Sequence, residues 1–575
     1  MNFLKTAFAS TLVAALVGCG GGDININAND NSVFEDNSTG GGASSESITC
    51  ASFVDENGVT QSGVVDGDNC LYSESFVDFD NPILSSVTLS DIGDGAHVFA
   101  GSLFVGENFA TLAEATDAGI LDGGDGPTLT IREGVTVALQ SSQDFIAIRR
   151  GSRIEAQGSP TAPITFTSED DVRGLVTAEQ VQTWGGMVIT GFGFTNACNY
   201  QLGFDRDNPD ASDLLLAVGT DCSVQIEGTE GASTTHYGGT VHDDNSGTLS
   251  YVVVKHAGFA ITDGNELNGI TFGAVGSGTT LNNVEVYSNF DDGIEFFGGS
   301  ADLTNYLAMY VRDDSIDIDE GYFGAINNAL VIQGDGSLDN SQSSGAHCVE
   351  SDGSSGSLVA QNIANDYVSK AVINNLTCIV SPTDLNITPD GGPGAGINAE
   401  EGHNLTVNAS LITTAYDVDG VAGNAFGNYC FQLEDDEDLQ NAADGLININ
   451  TSIFACADIS SNRNRDADIV LPMGTDFNGE TGLQFLEAQD NVIFQAADDG
   501  TSLPNGNGLI AGQMTILDSF YSVPLADMRI DAAAVTFTNA PADGLIGGVS
   551  REDDWTQGWT FGLHEGSRAQ PLWFE

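Results

Sequence analysis

The chain has 575 residues, 82 Asp plus Glu against 15 Lys plus Arg, and a formal net charge of -67 at pH 7. A surface of that sign repels nucleic-acid phosphates and gives anionic membranes nothing to attract, which excludes nucleic acid as a partner. The 41% apolar content supports a packed core, while 71 Gly argue against a mostly helical chain or a coiled coil.

Lys5 precedes an apolar stretch, Ala7 to Val17, that is too short to span a bilayer as a mature helix and closes on Leu16-Val17-Gly18-Cys19. Residues 1–18 resemble a bacterial lipoprotein signal, which implies that Cys19 is lipidated and becomes the first mature residue. Gly20 follows it instead of Asp, and by the same resemblance this implies anchoring in the outer membrane and not retention in the inner one. Residues 19–48 are polar and glycine-rich without a sustained apolar period, the composition of a flexible tether.

Setting Cys19 aside leaves eight cysteines, an even number suited to an oxidising compartment. Eight cysteines allow many connectivities; neighbours in sequence suggest Cys50 with Cys70, Cys198 with Cys222, Cys348 with Cys378, and Cys430 with Cys456. None forms a C-x-x-C pair, so zinc-ribbon and thioredoxin-like chemistry is disfavoured. Residues 49–95 read as an N-terminal disulfide-bearing segment or cap, and a repeating body runs over 96–545.

In the body, Val284-Glu285-Val286, Leu307-Ala308-Met309 and Leu330-Val331-Ile332 begin 23 residues apart, and Ile270, Ile294 and Ile316 begin a second series at steps of 24 and 22. Ile294 and Phe296 alternate with Glu295, and Ile316 and Ile318 with Asp317. Short strands on one shared period of about 23 residues predict an all-β parallel β-helix, whose coils bury their apolar faces only by stacking; a sandwich and, with blades of about twice this period, a propeller are the alternatives. Loop insertions at 196–225, 336–347 and 416–445 interrupt the period. Residues 546–575, which include WTQGWTFGLHEGSRAQPLWFE, predict an aromatic cap over an otherwise open end.

RRGSRIEAQGSPTAPITFTS (149–168), TWGGMVITG (183–191), ELNGITFGAVGSGTTLNNVEVYSNFDDGIEFFGGS (266–300) and DDWTQGWT (553–560) resemble a family of exported bacterial proteins, many of them outer-membrane lipoproteins. The resemblance covers roughly 96–560 and implies a right-handed parallel β-helix similar to the pectin-lyase-like superfamily.

The pair DDGIEFFGGS (291–300) and DDSIDIDEGY (313–322) carries the chemistry. Asp291, Asp292, Glu295, Asp313, Asp314, Asp317 and Asp319 are expected to line adjacent coils. Carboxylates about 5 Å apart repel by roughly 1 kcal/mol in water and by more at a protein surface, so Ca²⁺ is the candidate cofactor. A Ca²⁺-dependent polysaccharide lyase or glycoside hydrolase is the enzymatic alternative, with Arg312, Lys255 and His256 as candidate bases, but no catalytic residue is assigned. Neither G-x-S-x-G nor H-E-x-x-H occurs, and His564-Glu565 lacks a second His. Trp184, Trp555, Trp559 and Trp573 are candidate stacking platforms for sugars, weighed against packing in corners and the cap. The leading expectation is a lipid-anchored surface protein acting in binding or structure, as an accessory to an outer-membrane transporter or as an adhesin that contacts polysaccharide.

Overall fold

Each coil of the computed structural model places strands in two long sheets. The described residues are 48–209, 214–262, 265–334, 345–354, 356–381, 394–414, 429–434, 436–456, 458–460, 481–493, 522–524, 537, 544–550 and 552–572. The signal segment, Cys19 and Trp573 lie outside them. One sheet has ten parallel strands, running from Leu103–Val105 through Phe145–Ile148, Gly186–Thr190, Ile270–Gly273, Ile294–Phe297, Ile316–Asp319, His347–Ser351, Ala395–Ala399 and Tyr429–Leu433 to Asp458–Ser460. Among the described residues the second sheet has 18 strands and contains Gly247–Lys255, Thr280–Tyr287, Leu303–Met309, Ala325–Ile332 and Val372–Val380 in successive parallel pairing. This is the expected parallel β-helix solenoid.

Ile270 pairs with Ile294 and Ile294 with Ile316, so the 24- and 22-residue steps are the coil register of the ten-stranded sheet. Phe296 continues this inward face and stacks between Phe272 and Tyr322, with ring centroids at 4.9 and 4.3 Å. In the 18-stranded sheet one step differs from the expectation: Leu307 pairs with Leu330, 23 residues on, but Val284 pairs with Tyr306, 22 residues on. Val284, Tyr306 and Ala329 enter the main core, whereas Leu307 and Leu330 face outward into a second apolar cluster. The outward leucines imitate core positions, and a one-residue slip exchanges the two faces.

The corners between strand segments explain the asparagines. Asn283, Asn305, Asn328 and Asn375 occupy the left-handed region at φ of 53°, 61°, 58° and 58°, which Asn tolerates better than other residues bearing a Cβ. Asn328 Nδ2 also donates to Asn305 Oδ1 at 3.1 Å, tying one coil to the next.

The N-terminal segment reaches the body through strand Asn69–Tyr72, which pairs in parallel with Ala96–Phe99. Cys50–Cys70, Cys198–Cys222, Cys348–Cys378 and Cys430–Cys456 are all disulfides, with Cα separations of 5.4, 5.3, 6.0 and 5.6 Å. Toward the other end, helix Thr481–Ala488 stacks Phe485 on Phe431 at 5.7 Å. The aromatic C-terminus does cover apolar surface, but along the flank: Val549, Leu563 and Leu572 pack on Tyr287, Leu307, Met309, Leu330, Ile332 and Ile379. It settles there because the outward face of the 18-stranded sheet is apolar and needs a lid. Trp184 and Trp559 are buried, their indole N–H groups donating to Lys255 O and Trp555 O at 2.8 and 2.7 Å, which makes them packing residues. Among the described residues no helix is long and apolar enough to cross a membrane.

Candidate functional site: a carboxylate ladder

Alternation in the ten-stranded sheet sends Ile294, Phe296, Ile316 and Ile318 inward and leaves the intervening residues on the opposite face. Register aligns Thr271, Glu295, Asp317 and Glu350 in one column. Asn398 extends the column, since its Nδ2 lies 3.2 Å from Glu350 Oε1, and Gln432 follows it in register. A second set two residues along the strands contains Asp319, Asp352 and Glu400, the last two bridged in parallel.

The turns before these strands form a staircase. Asp292 N–H donates to Asn268 Oδ1 at 3.2 Å, Asp314 N–H to Asp292 Oδ1 at 3.0 Å, and His347 N–H to Asp314 Oδ1 at 2.6 Å. Part of the Asp292 and Asp314 signal is therefore architectural: one carboxylate oxygen of each accepts the backbone of the next coil. Among the described residues, ligand atoms nevertheless converge in three groups, each with its atoms within 4.8 Å of one another: Asp291, Asp292 and Asp313; Asp292, Glu295 and Asp317; Asp314, His347 and Glu350. Six of the seven expected acids thus come together, and Asp319 joins none of the three groups. Its Oδ1 accepts the Glu320 N–H at 2.5 Å, and Glu320 Oε2 in turn accepts from Thr195 and Tyr237.

The ladder faces away from the core but is not open to solvent: Asp292, Glu295, Asp314 and Asp317 are all buried. Burial, and then the charge of neighbouring carboxylates, pushes Asp291, Asp292, Glu295, Asp314 and Asp317 well above the usual carboxylate range. Burial and the neighbouring Glu350 raise Glu400 to about 10. Glu350 goes the other way: burial raises it, but His347 and the hydrogen bonds from Glu400 and Asp314 outweigh that and leave it lowered. Asp317 Oδ1 and Asn398 Oδ1 are buried with no hydrogen-bond partner among the described residues. Such oxygens fit a cation that replaces shared protons, and the two all-carboxylate groups supply the hard oxygen donors Ca²⁺ takes.

The candidate bases lie elsewhere. Lys255 Nζ is 2.7 Å from Asp171 Oδ2 and 4.1 Å from the Phe561 ring centroid, under the C-terminal flank segment. His256 Nδ1 lies 2.6 Å from Gln180 O, and burial lowers its pKa to about 4. Arg312 Nη2 donates to Glu179 O at 3.1 Å. Sequence reasoning missed His347, Glu350, Asp352, Asn398 and Glu400, because the insertion before His347 breaks the period: Glu350 follows Asp317 in register by 33 residues (350 minus 317).

No curated protein and no solved structure matches the chain. The model of the pectate-lyase-like β-helix domain matches residues 118–491, a span that contains the whole ladder. With parallel coils in register over that span and a family model covering more than half of its length, the chain belongs to the pectate-lyase-like β-helix family.

Proposed function

We propose that the protein is a cation-loaded surface binding protein, lipid-anchored through Cys19 to the outer membrane on its outer side, in which the ladder holds Ca²⁺. The observation that carries this reading is the convergence of Asp291, Asp292, Glu295, Asp313 and Asp317 in two groups sharing Asp292, one fully buried and the other half-buried. Buried carboxylates this close either bind protons or bind a cation, and near neutral pH a hard dication is the more effective counterion. Membership of the family is equally compatible with binding and with action on polysaccharide. Binding is favoured because Lys255 is held by Asp171 and Arg312 is bonded to the Glu179 carbonyl, contacts that occupy both of these candidate bases. In this reading Ca²⁺ stiffens the solenoid, and its loops and edges present the surface that contacts a polysaccharide or an outer-membrane transporter.

The test is calorimetric titration of the chelator-treated protein with Ca²⁺, run beside thermal unfolding. Saturable uptake, with a higher melting temperature in Ca²⁺ than in chelator, is the expected result; equal melting temperatures rule the reading out. Incubation with acidic polysaccharides is expected to release no ultraviolet-absorbing unsaturated sugar, and metabolic labelling with palmitate is expected to mark the native chain but not Cys19→Ser.

A further inference from the structure

We propose that Asp314, His347 and Glu350 form a separate site for a borderline transition-metal dication of the Zn²⁺ class. The inference does not depend on Ca²⁺ elsewhere on the ladder. His347 is 8% exposed, and its Nδ1 lies 2.9 Å from Asp314 Oδ1 and 3.2 Å from Glu350 Oε1. At these distances Nδ1 still forms no hydrogen bond among the described residues, because neither oxygen lies in the direction an N–H there would point. A buried imidazole nitrogen with two carboxylate oxygens in reach, all three donor atoms within 4.8 Å of one another, and no hydrogen bond of its own among the described residues is the arrangement of a ligand set.

The spacing selects the ion. Around a metal with bonds of about 2.0–2.1 Å, neighbouring donors at angles between octahedral and tetrahedral stand roughly 2.9–3.4 Å apart. Ca²⁺ bonds of about 2.3–2.6 Å spread the same donors to roughly 3.3 Å or more. Both distances from Nδ1 fall in the shorter window, and an imidazole nitrogen favours a borderline ion over a hard one. Two carboxylates with a neutral imidazole also match the charge of a dication.

The donors are held in place by their neighbours. The His347 backbone N–H is fixed on Asp314 Oδ1 at 2.6 Å, and Asn398 Nδ2 donates to Glu350 Oε1 at 3.2 Å. Partners of this kind orient metal ligands. The other two groups contain carboxylates alone, so the ladder would take hard ions at one end and a borderline ion at the other.

The full chain, stripped of metal, is titrated with Co²⁺ as the optical probe. One equivalent is expected to give a visible d–d spectrum that an equal amount of Zn²⁺ removes and about a hundredfold excess of Ca²⁺ does not. With Cu²⁺, the electron paramagnetic resonance spectrum of the same protein is expected to show coupling to imidazole nitrogen. His347→Asn is expected to abolish that coupling and weaken Co²⁺ binding by about tenfold or more, while leaving the Ca²⁺-dependent rise in melting temperature intact. The proposal is overturned if Ca²⁺ displaces Co²⁺ at equal concentration, if the unsubstituted protein shows no nitrogen coupling, or if His347→Asn binds Co²⁺ unchanged. Absence of any Ca²⁺ effect on melting would remove the calcium reading and leave this one standing.

Discussion

Asp317 concentrates the conflict between folding and ion binding in one side chain. It lies between Glu295 and Glu350 in register, and burial with the charges of Glu350 and Asp319 holds its carboxyl well above the usual range. Asp317→Asn removes a group that folding forces to stay protonated, so in chelator at neutral pH the variant is expected to melt above the parent protein. With Ca²⁺ at about a hundred times its Kd, the parent gains roughly 2.7 kcal/mol per site, and the order is expected to reverse because the variant has lost a ligand. Thermal unfolding under both conditions checks this, and a variant below the parent in both would sink it. Glu285 makes a contrasting case on the flank, where it is fully buried and its Oε2 accepts the Phe561 N–H at 2.8 Å. Burial raises the Glu285 carboxyl well above its ordinary range, so Glu285→Gln, which keeps an acceptor, is expected to equal or exceed the parent at neutral pH, whereas Glu285→Ala strands that N–H and is expected to cost about 1–3 kcal/mol in urea unfolding. The acids of 291–319 were legible from their own repeated pattern. His347 and Glu350 were not, because their meaning depends on register across an insertion of no fixed length.

At the scale of elements, period was the most legible property. Ile270, Ile294 and Ile316 pair as their spacing predicts, because alternation leaves one face able to enter the core. The misaligned step from Val284 has a physical cause: Leu307, Met309, Leu330 and Ile332 are as apolar as core residues but lie beneath the C-terminal segment. A sheet covered on both faces gives no alternation to read. Placing that segment over the flank instead of an end was equally illegible, since an aromatic tail fits either apolar surface. The stack of Phe272, Phe296 and Tyr322 gives the element-scale prediction. Phe296→Ala opens a cavity between two rings that the backbone of a stacked coil cannot close, so a loss of about 3–5 kcal/mol is expected. Chemical denaturation of the two proteins in the same buffer measures it, and a loss below about 1 kcal/mol would show that neighbouring coils relax into the gap.

At the scale of the whole molecule, the net charge of -67 and the buried carboxylates act in the same direction. Burial first, with neighbouring carboxylates, raises Asp144 to about 6, Asp244 to about 7 and Glu400 to about 10, from ordinary values of 3.8, 3.8 and 4.5. Asp292, Glu295, Asp314 and Asp317 shift the same way, whereas Asp171 and Glu350 are lowered and contribute with the opposite sign. A group whose folded pKa is raised leaves the native state with more bound protons than the unfolded chain, so the slope of stability against pH is negative. The penalty is absent below about pH 4, where both states are protonated, and grows as pH rises toward each folded pKa. Metal-free protein is therefore expected to lose melting temperature steadily from about pH 5 to pH 9, the reverse of ordinary acid denaturation, in which paired carboxylates are lost on protonation. Monovalent salt screens exposed charge far more than buried charge, so it is expected to raise the whole curve without flattening it. Ca²⁺ replaces protons within the ladder and is expected to flatten the curve or reverse its slope. Melting temperatures at several pH values in chelator, in chelator with added NaCl and in Ca²⁺ separate these effects. A melting temperature that rises with pH in chelator would mean that the buried carboxylates do not govern stability, and salt flattening the curve as fully as Ca²⁺ would mean that general screening, not a held ion, resolves the repulsion.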